Sequence, residues 1–307
     1  MTLIFVAVLA ALLVVFALWG KCKRQRLVNT IEVVTLPAVA ASRLGNQRDI
    51  KVFLPPRYHE RHDERFEVLY INDGQEYDAL NLRDTLAQLS NAGRIKPIIA
   101  VAIPTNENRL HEYGTAVAIN QLGLGLLAPA YTHFLVDELM PIIDGTFRTK
   151  PGAALLGVSL GGLSAFDIAW NHPELFAVVG IMSGSFWWRA RNEEEMIDAG
   201  ERIAHSLARR ATQPPPFRFF FEAGTRDEVG DRDSDGVIDA IQDTKELIEA
   251  LQAAGCGADQ ITYVEVAGGR HDFETWARVL PVFLEWAFSP AQARQKESGS
   301  SGYRRPQ

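Results

Sequence analysis

The sequence predicts an α/β domain on a mainly parallel sheet, and three observations carry that expectation. From residue 31 onward short apolar runs alternate with longer amphipathic ones. One of those runs, "AALLGV", has no polar alternation, as expected of a strand covered on both faces. The 307 residues, 47% hydrophobic and 22% charged, suffice for one large folded domain with a substantial core. No composition break divides the chain internally, and no repeat is visible.

The elements follow in order. "IEVVTL" and "DIKVFL" have no helix between them and read as an antiparallel opening pair. "FEVLYI" enters the core and ends at the turn "NDGQ". "ALNLRDTLAQLSNAG" reads as a helix closed by glycine, and "KPIIAVAI" as the next strand. "YTHFLVDELMPIID" is a helix leading into "AALLGV". "FAVVGIM", "FRFFFEA" and "ITYVEV" complete the strands, with "DTKELIEALQAAG" as a helix before the last of them.

Chemistry concentrates where "AALLGV" ends. Gly157, Val158, Ser159, Leu160 and Gly161 fit the GxSxG nucleophile elbow, in which a sharp strand-to-helix turn tolerates only small residues beside the serine. Such stretches also occur in ordinary loops, so the context decides. Downstream, Leu160, Leu163, Phe166, Ile168 and Ala169 recur at roughly helical spacing, and "NHPELF" supplies a proline stop. Strand, elbow and helix are all predicted, with the Ser159 hydroxyl exposed at the turn.

A serine hydroxyl is a weak nucleophile at neutral pH and needs a base, itself oriented by a third group. Of the seven histidines, His271 follows "ITYVEVAGGR" and precedes "DFETWARVLPVFLEW", on the loop after the last strand. "FRFFFEAGTRDEVGD" offers Asp227, Glu228 and Asp231 just past a strand, in the chain order serine, acid, histidine. Asp227 lies closest to the strand end and is the expected acid. A developing oxyanion needs two donors: the backbone N–H of Leu160, given by the elbow, and a second from "NDGQ", where Gly74 permits close approach and Gln75 N–H is the candidate.

Together with further segments, these residues resemble the enterochelin esterase-like group of α/β-hydrolases, the putative esterase family, which includes feruloyl esterase domains and S-formylglutathione hydrolases. The similarity runs from about residue 40 to 288 through "LGNQRDIKVFLPPRY", "YINDGQ", "GVSLGG", "GTRD", "GGRHDFETW" and "SGSFWWR". It implies an α/β-hydrolase fold and serine-dependent ester hydrolysis through an acyl-enzyme, with no organic cofactor and a small-molecule ester as substrate. "NRLHEYG" is similar to an arginine and glutamate stretch beside the family's site, which puts Arg109 and Glu112 near the substrate. Trp187 and Trp188 are candidates for an acyl or aromatic pocket, with plain core packing as the alternative. Two other readings stand beside hydrolysis: acyl transfer on the same triad, and a non-catalytic, membrane-tethered binding module.

"DRDSDGVID" places Asp231, Asp233, Asp235 and Asp239 at positions 1, 3, 5 and 9 of an EF-hand-type loop, with glycine at 6. Position 12 is Gln242 where glutamate is usual. The alternatives are a structural Ca2+ and a solvated loop.

The termini differ in kind from the body. Leu3 to Trp19 carries no charge and is followed by "KCKRQR". At about 1.5 Å per residue this run approaches a hydrocarbon core of about 30 Å. No basic n-region follows Met1 and no small-residue cleavage pattern closes the run, so an uncleaved transmembrane helix is expected. Residues 1–26 form the anchor, 27–288 the hydrolase domain, and 289–307 a tail without apolar period, expected to be disordered. Lys21, Lys23, Arg24 and Arg26 after the span favour a cytoplasmic body by the positive-inside rule, whereas a real Ca2+ site would favour the outside. Only Cys22 and Cys256 are present, which argues against a disulfide framework. A net charge of -7 without a basic stripe argues against a nucleic-acid partner.

Overall fold

In the computed structural model, which describes residues 30–190 and 202–290, the strands assemble into one eight-stranded sheet of order β1-β2-β4-β3-β5-β6-β7-β8. β1 (Glu32–Ala41) and β2 (Asn46–Leu54) pair antiparallel, and β2 meets β4 (Ile98–Ala102) antiparallel. β3 (Glu67–Ile71), β4, β5 (Ala153–Val158), β6 (Phe176–Met182), β7 (Arg218–Arg226) and β8 (Ile261–Arg270) all run parallel. The expected opening pair and mainly parallel sheet are both present.

The helices are α1 (Leu82–Asn91), the single turn α2 (Arg109–Glu112), α3 (Ala128–His133), α4 (Met140–Thr146), α5 (Leu160–Asn171), α6 (Ile203–Arg210), α7 (Asp239–Ala253) and α8 (Phe273–Phe288). They cover both faces of the sheet. Leu82, Leu86 and Leu89 of α1 pack with Trp276, Leu280, Phe283 and Leu284 of α8 on one side. Leu163 and Phe166 of α5, Ile203 of α6 and Leu247 of α7 pack on the other. β5 explains why its sequence lacks alternation: Leu155 belongs to one core and Leu156 to the other.

The helix expected over "YTHFLVDELMPIID" is interrupted. Between α3 and α4 the segment Phe134–Leu139 has π-helical geometry. Pro141 lacks the N–H that an α-helix would direct back to Asp137, and the backbone widens just before it. α6 had no expectation attached to it. Cys256 is buried and free.

The expected transmembrane segment, Leu3 to Trp19, and the tail from residue 291 lie outside the described residues, as does Cys22. Among the described residues no helix is long and apolar enough to cross a membrane. All the loops that follow β3, β5, β7 and β8 open at the carboxyl end of the parallel sheet, the end where open α/β sheets bind ligands.

Candidate active site

β5 ends in a turn that holds Ser159 at φ 55° and ψ −126°, a region L-residues rarely occupy. The surrounding backbone keeps it there. Ser159 N–H donates to the Met182 carbonyl at 2.9 Å, while the Ser159 carbonyl accepts from Gly162 N–H at 3.0 Å and Leu163 N–H at 3.2 Å. Gly157 is required because a Cβ there would sit 2.0 Å from the Gly161 carbonyl oxygen. Leu160 opens α5, so its N–H has no intrahelical acceptor and is available at the turn.

His271 follows β8 directly, and its Nε2 lies 2.7 Å from Ser159 Oγ across 112 residues of sequence. The ring stands edge-on to the Trp276 indole, with centroids 5.1 Å apart. Its pKa is lowered chiefly by desolvation from the protein beneath it; the Asp227 charge opposes that shift and Arg109 reinforces it. A depressed pKa keeps the imidazole neutral and able to accept a proton.

Asp227 leaves the end of β7 and lines the same cavity as Ser159 and His271. Its Oδ2 accepts the Gly224 N–H at 3.1 Å. Burial raises its pKa, while the Ser183 hydroxyl, the Gly224 N–H and the charge of His271 oppose that rise. Among the described residues no hydrogen bond joins the His271 ring to a carboxylate, so Asp227 acts on the imidazole as a neighbouring charge. Glu228 also lines the cavity, whereas Asp231 does not.

The loop after β3 is pinned to the elbow. Asn72 Nδ2 donates to the Gly161 carbonyl at 2.8 Å, and Tyr131 donates its hydroxyl to Asn72 Oδ1 at 2.7 Å. Gly74 makes the close approach that its sequence suggested, but to protein backbone: a Cβ would fall 2.2 Å from Ile103 N, and Gly74 N–H donates to the Ile103 carbonyl. Gln75 is exposed, and its Oε1 accepts Thr105 N–H. Gly74 and Gln75 are both absent from the cavity wall.

Arg109 does line the cavity, gripped by Asp73 through Nε–Oδ1 at 2.6 Å and Nη2–Oδ2 at 2.8 Å. Glu112 faces away: it is fully buried in an ion pair with Arg48. Its expected place near the substrate is therefore corrected; a carboxylate committed to Arg48 stabilises the fold beneath the loop. Trp187 and Trp188 both wall the cavity, of about 310 Å3. Trp187 is 41% exposed at its mouth and Trp188 is buried. Asp73, which holds Arg109, and Ser183, which lines the cavity, were missed by sequence reasoning. Asp73 sits inside "NDGQ" and Ser183 inside "SGSFWWR", so those segments contained the signal.

The acidic loop is partly assembled. Asp231, Asp233 and Asp235 bring carboxylate oxygens within 4.8 Å of one another. Asp239 instead accepts Arg232 N–H at 3.0 Å and faces the Arg232 guanidinium. Gln242 donates its Nε2 to Asp233 Oδ2 at 2.9 Å.

The model of the family described as "Putative esterase" matches residues 41–287. An uncharacterized protein of Bacillus subtilis, YbbA, is 22% identical over 258 residues, covering 82% of this chain and 96% of that protein. The endo-1,4-beta-xylanase/feruloyl esterase of Xylanibacter ruminicola is 27% identical over 262 residues, covering 80% of this chain but only 30% of the relative. Among solved structures, the enterobactin esterase of Shigella flexneri superposes with a TM-score of 0.63 at 20% identity, over 84% of this chain and 60% of the other.

Proposed function

The chain belongs to the putative esterase family and is an ester-hydrolysing enzyme, and from that premise we propose a serine mechanism with an acyl-enzyme intermediate on Ser159. The observation that carries it is the 2.7 Å contact of His271 Nε2 with a serine held at a strained elbow.

Ser159 Oγ attacks the ester carbonyl as His271 takes its proton. The tetrahedral oxyanion is received by Leu160 N–H, with Gln75 N–H as the proposed second donor. Asp227 stabilises the imidazolium by its charge. Collapse expels the alcohol, protonated by His271, and water activated by the same imidazole releases the acid. An alcohol in place of that water gives acyl transfer on the same groups. Trp187 and Trp188 supply an apolar wall, and Arg109 a cation, to the substrate.

The reaction as proposed draws on no organic cofactor and no metal. A Ca2+ at Asp231, Asp233 and Asp235 would be structural. The proposed setting is a membrane surface, with the body on the cytoplasmic side, on the argument of Leu3 to Trp19 and its basic flank.

Labelling of the full chain by a fluorophosphonate tests the mechanism. Modification at Ser159, lost in His271→Ala, is expected; equal labelling of the two chains, or labelling elsewhere, contradicts it.

A further inference from the structure

The amino end of the parallel sheet, opposite the Ser159 cavity, carries a second cavity of about 220 Å3. Its walls come from the starts of β3, β5, β6 and β7, from Lys96 just before β4, and from the end of α8. Three cations, Lys96, Lys150 and Arg218, line it against one carboxylate, Glu67. That excess of positive charge stands out in a chain of net charge -7.

Glu67 is committed, because its Oε1 accepts from Lys96 Nζ at 2.9 Å. Among the described residues neither Lys150 nor Arg218 forms an ion pair. Lys150 is exposed and Arg218 half-buried. The Arg218 guanidinium carbon lies 4.3 Å from the Trp286 ring centroid, and its Nη2 is 3.4 Å from the Ala287 carbonyl. An indole and a carbonyl fix the plane of the guanidinium without neutralising it. Burial disfavours its charge, while Glu67 and Asp259 favour that charge without pairing with it. A half-buried cation without a counter-charge is costly, and an anion in the cavity offsets that cost. Phosphate fits better than a carboxylate here: its several oxygens can meet the guanidinium fork on one side and a lysine ammonium on another.

The chain enters and leaves the domain at this same end. Glu32, which opens β1, stands opposite Leu54 at the end of β2, and Phe53 stands opposite Ala100 of β4. The Phe288 carbonyl, which ends α8, accepts Lys96 N–H. A membrane span at Leu3 to Trp19, as proposed above, therefore leads the chain into the amino end of the sheet, and a cytoplasmic leaflet presents anionic headgroups to it.

We propose that this cavity binds the phosphate of an anionic lipid headgroup between Arg218 and Lys150, with Lys96 beside them. The lipid as source rests on the proposed membrane setting; the preference for an anion does not. Seated in this way, the carboxyl end of the sheet, with Ser159, faces away from the bilayer.

Acetylation of Lys150 by an N-hydroxysuccinimide ester, followed by peptide mass spectrometry on the reconstituted full chain, tests this. In vesicles of phosphatidylcholine with phosphatidylglycerol, Lys150 should react at least about fivefold more slowly than in phosphatidylcholine alone. Lys245, paired with Glu265 away from the cavity, should keep its rate. Arg218→Gln should lose most of the protection. Equal Lys150 rates in the two vesicles overturn the proposal, as does protection that survives intact in Arg218→Gln, which reports only nearness to a charged surface. If Arg218→Gln fails to fold, Lys150→Gln, a change at an exposed side chain, replaces it with protection read at Lys96, and the same two results decide. Inorganic phosphate added to the chain in phosphatidylcholine vesicles separates the sources: protection by phosphate with no effect of phosphatidylglycerol leaves an anion cavity and overturns the lipid. A chain recovered outside both kinds of vesicle contradicts the membrane setting instead. Phosphate protection that is lost in Arg218→Gln then still upholds the cavity, and its absence overturns it.

Discussion

His271 Nε2 lies 2.7 Å from Ser159 Oγ, although the two residues stand 112 positions apart. The contact exists because β5 and β8 end on the same side of the sheet, each turning away at once. A base at this distance can accept the serine proton without rearrangement.

The first prediction concerns pH. Desolvation lowers the His271 pKa, so the base stays neutral into more acid solution than an ordinary histidine. The acid limb of kcat/KM, which reports the free enzyme, should have its midpoint below the usual histidine value of about 6.5. A pH profile of ester hydrolysis checks this. A midpoint at or above that value is contrary to the burial argument.

Asp227 raises the His271 pKa by its charge and is not hydrogen-bonded to the ring. Asp227→Asn should therefore shift the acid limb further down and reduce kcat about 10- to 100-fold, short of the roughly 10⁴-fold loss seen when a hydrogen-bonded triad acid is neutralised. Glu228→Gln should leave kcat close to wild type. Steady-state kinetics of the two variants separate the neighbouring acids.

Much of this was legible beforehand. The elbow could be read because Gly157 is imposed by local backbone contact, its Cβ position being blocked by the Gly161 carbonyl whatever the rest of the chain does, whereas Gly161 is crowded by the side chains of Asp73, Tyr113 and Asn72 from distant segments. His271 could be read because it adjoins a strand end. Trp187 and Trp188 could be read as candidates for the cavity, with core packing as the alternative, and sequence could not tell that one is exposed and the other buried. The function of "NDGQ" was less legible. Which of its groups faces the site depends on Arg109, whose grip on Asp73 spans 36 positions. The π segment before Pro141 lay in a stretch whose apolar spacing suits an ordinary helix equally well.

Asp167, on the buried side of α5, gives a stability prediction. It is 1% exposed, its Oδ2 accepts Ala116 N–H at 2.8 Å, and burial pushes its pKa up to about 7. A folded-state pKa raised above the unfolded value of about 3.9 means that the folded chain retains a proton which the unfolded chain has released. Stability from this group is thus full at low pH, falls as pH rises between about 4 and 7, and stays low above that window. Asp167→Asn keeps an acceptor for Ala116 and removes the titration. Denaturant unfolding should show the variant gaining on wild type by the order of 3 kcal/mol between pH 4 and pH 8.

The most direct measurement is hydrolysis of a short p-nitrophenyl ester by the full chain, comparing wild type with Ser159→Ala at matched folding. Turnover by wild type and a loss of at least about 10⁴-fold in kcat for the variant is the predicted result. A Ser159→Ala chain that hydrolyses the ester at the wild-type rate would contradict the assignment of Ser159 as nucleophile, and with it the acyl-enzyme.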